Sequence, residues 1–289
     1  MVSNLNANNF LPILDNWETY FENPYEGMGT VYERFILHKL FLVIEELATI
    51  ESVLEVPGFG MTGISGINSL WWGRKNKNIC VADWNLKRLK YISKTWDSLN
   101  FPLQTLFWEQ EQKLPLKPLS FDLVWNFASL WFIKDINSFA GQVKNIAGKA
   151  ILICVPNYTG LGFLIRKKYA YKMDNIYLNN IKPAVIKANF AGGGWKLYDE
   201  GIFDIPPWPD IAMKKEELLG KLKLNFLLNI FKKENKKEEN SSLDILKYFA
   251  GKADNLETQI LKFSILEKPK GIFQRFWGHH RYFIFTKGE

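Results

Sequence analysis

Between residues 52 and 156, short apolar runs alternate with amphipathic stretches. The runs SVLEV (52–56), NICVAD (78–83), LQTLFW (103–108), FDLVWN (121–126) and AILICVP (150–156) are rich in β-branched and aromatic residues. Pro, Gly or Asn bound most of them, so they predict five strands. Between the second and third, Leu86, Leu89, Ile92 and Trp96 recur at helical spacing and predict an amphipathic helix. Strands apolar on both faces and separated by helices indicate a mostly parallel sheet covered on both sides. That is a doubly wound, Rossmann-like α/β core.

The flanks read differently. Residues 1–50 form a helical cap, a polar lead followed by one helix over about 30–47. Its apolar run is broken by His38, Lys39, Glu45 and Glu46, which makes it amphipathic rather than membrane-spanning. After the core at 51–160, residues 161–258 hold Lys-rich helical stretches and read as a helical insertion. A Pro-rich segment (205–210) and the charged run KKENKKEENSS (232–242) interrupt it; the run reads as a loop tip, with Ser242 as N-cap of the next helix. Within 259–289, LKFSILE (261–267) and HRYFIFTK (280–287) read as two further strands joined by a Gly-containing connection.

Composition narrows the classes. With 47% hydrophobic and 15% aromatic residues in 289, the chain is not disordered, and two cysteines cannot form a disulfide scaffold. Three histidines and no cysteine cluster argue against a zinc or iron–sulfur centre, and no metal is expected. The N-terminus MVSNLNANNF lacks a basic, then apolar, leader, so the cytoplasm is the expected compartment. The net charge of +7 is unevenly placed. Residues 1–160 carry 14 Lys and Arg against 15 acids, and the remainder carry 23 against 15. The basic second half suits an anionic partner, peripheral contact with a membrane surface, or plain solubility.

The most informative stretch is SVLEVPGFGMTGISGINS (52–69), in which a strand runs into Gly58, Gly60 and Gly63. Glycines at such a point let the chain reverse sharply and let backbone lie against a ligand. Asp83 ends the second strand, where a carboxylate can accept two hydrogen bonds from a ribose diol. NAD and S-adenosylmethionine both present that diol, and a ligand-free turn would use the same glycines.

Four segments together resemble the class I S-adenosylmethionine-dependent methyltransferases with small-molecule substrates. VLEVPGFGMTG is similar to their first motif, with Glu55 as the acid facing the amino-acid end of the cofactor. VADWN supplies the ribose acid Asp83 and its neighbour Trp84. LPLKPLSFDLVWNFASLWFIKD (114–135) and AILICVPN (150–157) resemble the passages through the fourth and fifth strands. The resemblance covers about residues 50–160, with 259–289 resembling the closing antiparallel β-hairpin of the core sheet. It implies S-adenosylmethionine as cofactor, S-adenosylhomocysteine as product and a small-molecule acceptor. It places Glu109 or Gln110, with Glu111 competing, near the adenine, and Asn126 and Phe127 where cofactor and acceptor meet. The chain departs from the pattern in that its glycines fall three and five residues after Glu55, with Pro57 at the usual first glycine.

Alternatives stay open. An NAD(P)-dependent oxidoreductase would need a hydride-transfer site, and no His or Tyr/Lys pair offers one. The basic-aromatic run RKKYAYK (166–172) suits nucleic acid, yet Asn126-Phe127-Ala128-Ser129 lacks the Asn/Asp-Pro-Pro-aromatic sequence of amino-methylating nucleic-acid enzymes, which argues against that partner. A binding-only relative is a further reading. Tyr25, Tyr32 and Glu33, with hinges Gly27 and Gly29, form either a lid or, the preferred reading, a turn into a helix. His279 and His280 read as surface residues, because adjacent strand positions face opposite ways, and His38 as a helix-face residue. Trp195, Tyr198, Phe203 and Trp208 line an apolar acceptor pocket or belong to the core. The amphipathic segment 220–233 packs on the core, lies on a membrane or lines a channel.

Overall fold

The computed structural model describes residues 13–22, 25–59, 63–170, 173–205, 243–268 and 271–288. Gly60, Ser242, Trp208, the Pro-rich segment beyond Ile205, the charged run 232–242 and the amphipathic segment 220–233 lie outside them.

In chain order, α1 (Ile13–Glu22) and a two-residue strand β1 (Tyr25–Glu26) lead into α2 (Met28–Leu47). The core then runs β2 (Ser52–Glu55), the single helical turn α3 (Leu70–Gly73), β3 (Asn78–Asp83), α4 (Leu86–Ser98), β4 (Gln104–Phe107), β5 (Phe121–Phe127), α5 (Ile136–Ile146) and β6 (Ala147–Pro156). After it come α6 (Leu161–Ala170), α7 (Pro183–Phe190), β7 (Trp195–Phe203), β8 (Leu243–Asp244), which pairs with β1, and β9 (His280–Lys287).

All five strands expected from the apolar runs are present, each within a few residues of its expected bounds. They form one sheet of order β4-β3-β2-β5-β6-β9-β7, parallel except for β9, which runs antiparallel to both β6 and β7. Apolar residues cover both faces. Phe41, Ile44, Trp72 and Trp125 belong to one buried layer, and Val124, Phe139, Ile151 and Phe283 to the other. This is the doubly wound arrangement with a closing antiparallel pair.

One member of that pair is not the segment expected. Residues 261–267 are not a strand: Lys262–Glu267 forms a 3-10 helix with no buried residue. The partner of β9 is β7, from within the stretch that reads as helical. The reason is pairing. WKLYDEGIF has no strong alternation, and its burial is intermediate over most of its length, so only the ladder with Ile284 and Phe285 makes it a strand.

α2 also corrects the reading of its polar residues. Lys39 is exposed, but His38, Glu33 and Arg34 are buried along with Tyr32 and Phe35. The His38 Nδ1 lies 3.0 Å from Glu257 Oε1, and burial pushes its pKa down. Tyr32 and Glu33 are thus helix-core residues, and Gly27 is the N-cap of α2. Among the described residues, no helix is long and apolar enough to cross a membrane.

Candidate functional site

Strand order reverses between β2 and β5, because connections from β2 go to one side and those from β5 to the other. In open parallel sheets a crevice forms beyond the carboxyl ends of the strands at such a switch point. Glu55 ends β2, Asp83 ends β3, and Asn126 and Phe127 end β5, so the fold brings these sequence-expected residues to one edge.

They do not all face one another. Glu55 is buried with Ser69 and Trp125: the Ser69 hydroxyl donates to Glu55 Oε2 at 2.6 Å, and the Trp125 indole N–H donates to Ser69 Oγ at 3.1 Å. Burial pushes the Glu55 carboxyl up to about 7, and the nearby Asp83 charge adds to the rise. Asn126 and Phe127, consecutive in a strand, point to opposite faces.

Asp83 is fully engaged. Its Oδ1 accepts from the Asn85 amide at 2.8 Å and from Arg88 Nη2 at 2.5 Å, and its Oδ2 accepts from Arg88 Nε at 3.1 Å. The Phe59 backbone amide also donates to it. Phe59, next to the atypical glycines, is itself buried. Its ring lies 4.1 Å from the Arg88 guanidinium and packs against Phe132 and Trp84. Sequence reasoning missed Arg88 as the partner of Asp83. The signal was available, since a cation five residues after an acid, in the first turn of α4, can turn back to it.

Gly58 and Gly63 are required for different reasons. A Cβ on Gly58 would come 2.5 Å from Val81 Cγ1, so that glycine lets the loop pass against β3. Gly63 has φ +105° and would place a Cβ 2.5 Å from Glu26 Oε1. Here the loop is clamped: the Ile64 amide donates to Glu26 Oε1, and the buried Arg34 donates to both Glu26 oxygens, to Asn68 Oδ1 and to Ile64 O.

Of the other expected residues, Trp84 joins this cluster through Phe59 and Arg88. Trp84 is half-buried, edge-on to Trp108 at 6.4 Å. Glu109 is exposed and holds Gln112, Gln110 is half-buried, and Glu111 pairs with Lys134 at the surface. Trp195 and Phe203 are buried in opposite layers and Tyr198 is 55% exposed, so these three line no common pocket. The surface reading of His280 is also overturned. It is buried between Phe127 and Phe203, with Nδ1 3.3 Å from Asp204 Oδ2.

An adenosine sulfonium ligand fits this edge in part. Asn126 Oδ1, Ser129 Oγ and Ser65 Oγ are buried with no hydrogen-bond partner among the described residues. Buried acceptors of this kind are costly unless something donates to them, as an ammonium or hydroxyl would. Ribose, by contrast, can reach Asp83 only by displacing Arg88.

Sheet order, antiparallel closure and helical layers together define the fold of the class I S-adenosylmethionine-dependent methyltransferases. Two solved structures share it over nearly the whole chain. The plantazolicin methyltransferase, solved with a triazolic desmethyl analogue and S-adenosylhomocysteine, superposes with a TM-score of 0.54 at 15% identity, covering 98% of this chain and 94% of that one. A protein assigned as a sarcosine dimethylglycine methyltransferase from Galdieria sulphuraria gives 0.52 at 9% identity, covering 89% and 86%. The match to an S-adenosylmethionine-dependent methyltransferase from Aquifex aeolicus spans 40% of this chain and 62% of that one, at a TM-score of 0.34 and 16% identity. No family model matches the chain, and no curated protein matches its sequence.

Proposed function

We propose that the chain is an S-adenosylmethionine-dependent methyltransferase acting on a small-molecule acceptor. The observation that carries this reading is the buried, unsatisfied Asn126 Oδ1 at the switch point of a methyltransferase-like sheet, in the same edge as Asp83. The cofactor would supply an electrophilic methyl on a sulfonium, transferred by in-line displacement to leave S-adenosylhomocysteine.

The protein's part is chiefly placement and exclusion of water. Asp83 would accept the ribose hydroxyls, with Arg88 released to solvent or to a second anion. Asn126 and Ser129 would accept from the amino-acid end, and Glu55, at the adjoining strand end, would add negative charge there once deprotonated. Gly58, Gly60 and Gly63 would shape the loop that carries backbone past the ligand. Trp84 would pack against the adenine, Glu109 or Gln110 would meet its exocyclic edge, and Phe127 would border the acceptor. No general base is required unless the acceptor is protonated at working pH.

A second reading has its own support. The saturated Asp83 and the buried Phe59 above Arg88 suit a methyltransferase-like protein that has given up the cofactor or its chemistry. Titration calorimetry with S-adenosylhomocysteine separates the two. The wild type is expected to bind, and Asp83→Ala to weaken binding by about 10–100-fold through loss of hydrogen bonds to a charged acceptor. Arg88→Gln, which removes the competitor for Asp83, should tighten it. Binding of NADH with none of S-adenosylhomocysteine would sink the proposal. Binding without turnover on any acceptor would favour the second reading.

A further inference from the structure

The layer of the sheet that holds α2, Phe127 and Phe203 carries a group that the proposed chemistry does not use. Glu33 of α2, Asp204 just after β7 and His280 at the start of β9 converge at the same carboxyl edge, and all three are buried. His280 Nδ1 lies 3.3 Å from Asp204 Oδ2 and 4.0 Å from Glu33 Oε2, and the three donor atoms all lie within 4.8 Å of one another. Donors about 2.1 Å from a tetrahedral ion stand about 3.4 Å apart. Closing these separations by at most about 1.4 Å therefore converts this trio into a set of ligands for one ion.

The segments that carry Asp204 and His280 are held in place from outside. Asn157, directly after β6, anchors the chain in this corner: its amide donates to His279 O at 2.7 Å, and its Nδ2 donates to Gly278 O at 2.8 Å and Arg275 O at 3.0 Å. The His279 amide donates to Asp204 O at 3.0 Å, tying the two ligand-bearing segments together. Asp204 has φ +62°, a left-handed conformation that Asp adopts more readily than most side chains and that turns the chain at the end of β7. The rings of Phe127 and Phe203, 4.8 Å and 5.8 Å from the imidazole, form an apolar wall around it. Anchored backbone and an apolar wall around the donor atoms favour a fixed ligand geometry.

We propose that Glu33, Asp204 and His280 form a binding site for one divalent first-row transition cation, with a remaining coordination position open. One imidazole and two carboxylates suit zinc or manganese better than calcium, which takes more oxygen ligands, or magnesium, which keeps its waters. The site adjoins Phe127 at the end of β5, so a bound ion would stand beside the place proposed for the acceptor. Its existence is independent of that proposal.

The test needs no activity. Full-length protein is stripped with a chelator, dialysed, and titrated calorimetrically with zinc chloride and then manganese chloride. One equivalent is expected to bind with a dissociation constant in the micromolar range or tighter, and to raise the melting temperature. His280→Gln and Glu33→Gln should each weaken binding at least 100-fold. Circular dichroism shows whether each variant is folded, and cobalt absorption bands, present in the wild type and lost in Asp204→Asn, give a second readout. Absence of binding for every metal, or unchanged affinity in folded His280→Gln and Glu33→Gln, would overturn the proposal.

Discussion

Replacing Arg34 with methionine is expected to lower the stability of the fold by about 3–5 kcal/mol, a large fraction of what holds a typical domain folded. Arg34 and Glu26 are completely buried, and the guanidinium satisfies both oxygens of Glu26, the side chain of Asn68 and the carbonyl of Ile64. Without it, the Glu26 carboxylate stays buried with the Ile64 amide as its one remaining donor among the described residues. The cost comes from that uncompensated charge rather than from the lost attraction, because a buried pair returns little net energy once desolvation is counted. The double variant Glu26→Gln/Arg34→Met should therefore recover much of the loss. Urea denaturation checks both, read as a shift in midpoint at unchanged slope. A single variant that loses less than about 1 kcal/mol would mean that the clamp does not hold the glycine loop to α2.

The second large effect is on pH dependence. Glu55 ordinarily titrates near 4.5, and in the fold burial raises it to about 7. A group whose folded pKa is raised keeps its proton longer in the native state than in the unfolded chain. Between these two values the unfolded state binds fewer protons, so stability falls as pH rises through about 4.5 to 7. For this one carboxyl the difference is on the order of 3 kcal/mol. Glu55→Gln keeps the hydrogen bond from Ser69 and carries no charge, so it should be more stable than the wild type at pH 8 and indistinguishable from it at pH 4. Stability measured across that range and subtracted, wild type from variant, isolates the group. A flat difference curve would show that Glu55 titrates in the fold as it does in the unfolded chain.

These two residues show how unevenly the site was legible. Glu55 is named by its place two residues before Pro57 in a strand-to-glycine passage, and local pattern suffices to find it. Arg34 sits in a helix whose charges read as its solvent face. Its role depends on Glu26, Asn68 and Ile64, which no spacing rule joins. Asp83 was legible as an acid at a strand end, but its occupation by Arg88 and the ring of Phe59 was not. His280 reads as a surface residue from strand alternation alone; it is buried because β7 and α2 cover it.

Apolar periodicity alone determined the five parallel strands, the α4 helix and the doubly wound class, because those elements bury continuous runs that announce themselves over a few residues. Only the tertiary structure decided which segment pairs with β9, how the glycine loop is anchored, and that Glu33, Asp204 and His280 meet. Each of those depends on contacts between residues far apart in the chain. A half-buried edge strand takes its identity from its neighbour, and a buried polar group is tolerable only beside partners supplied by another element.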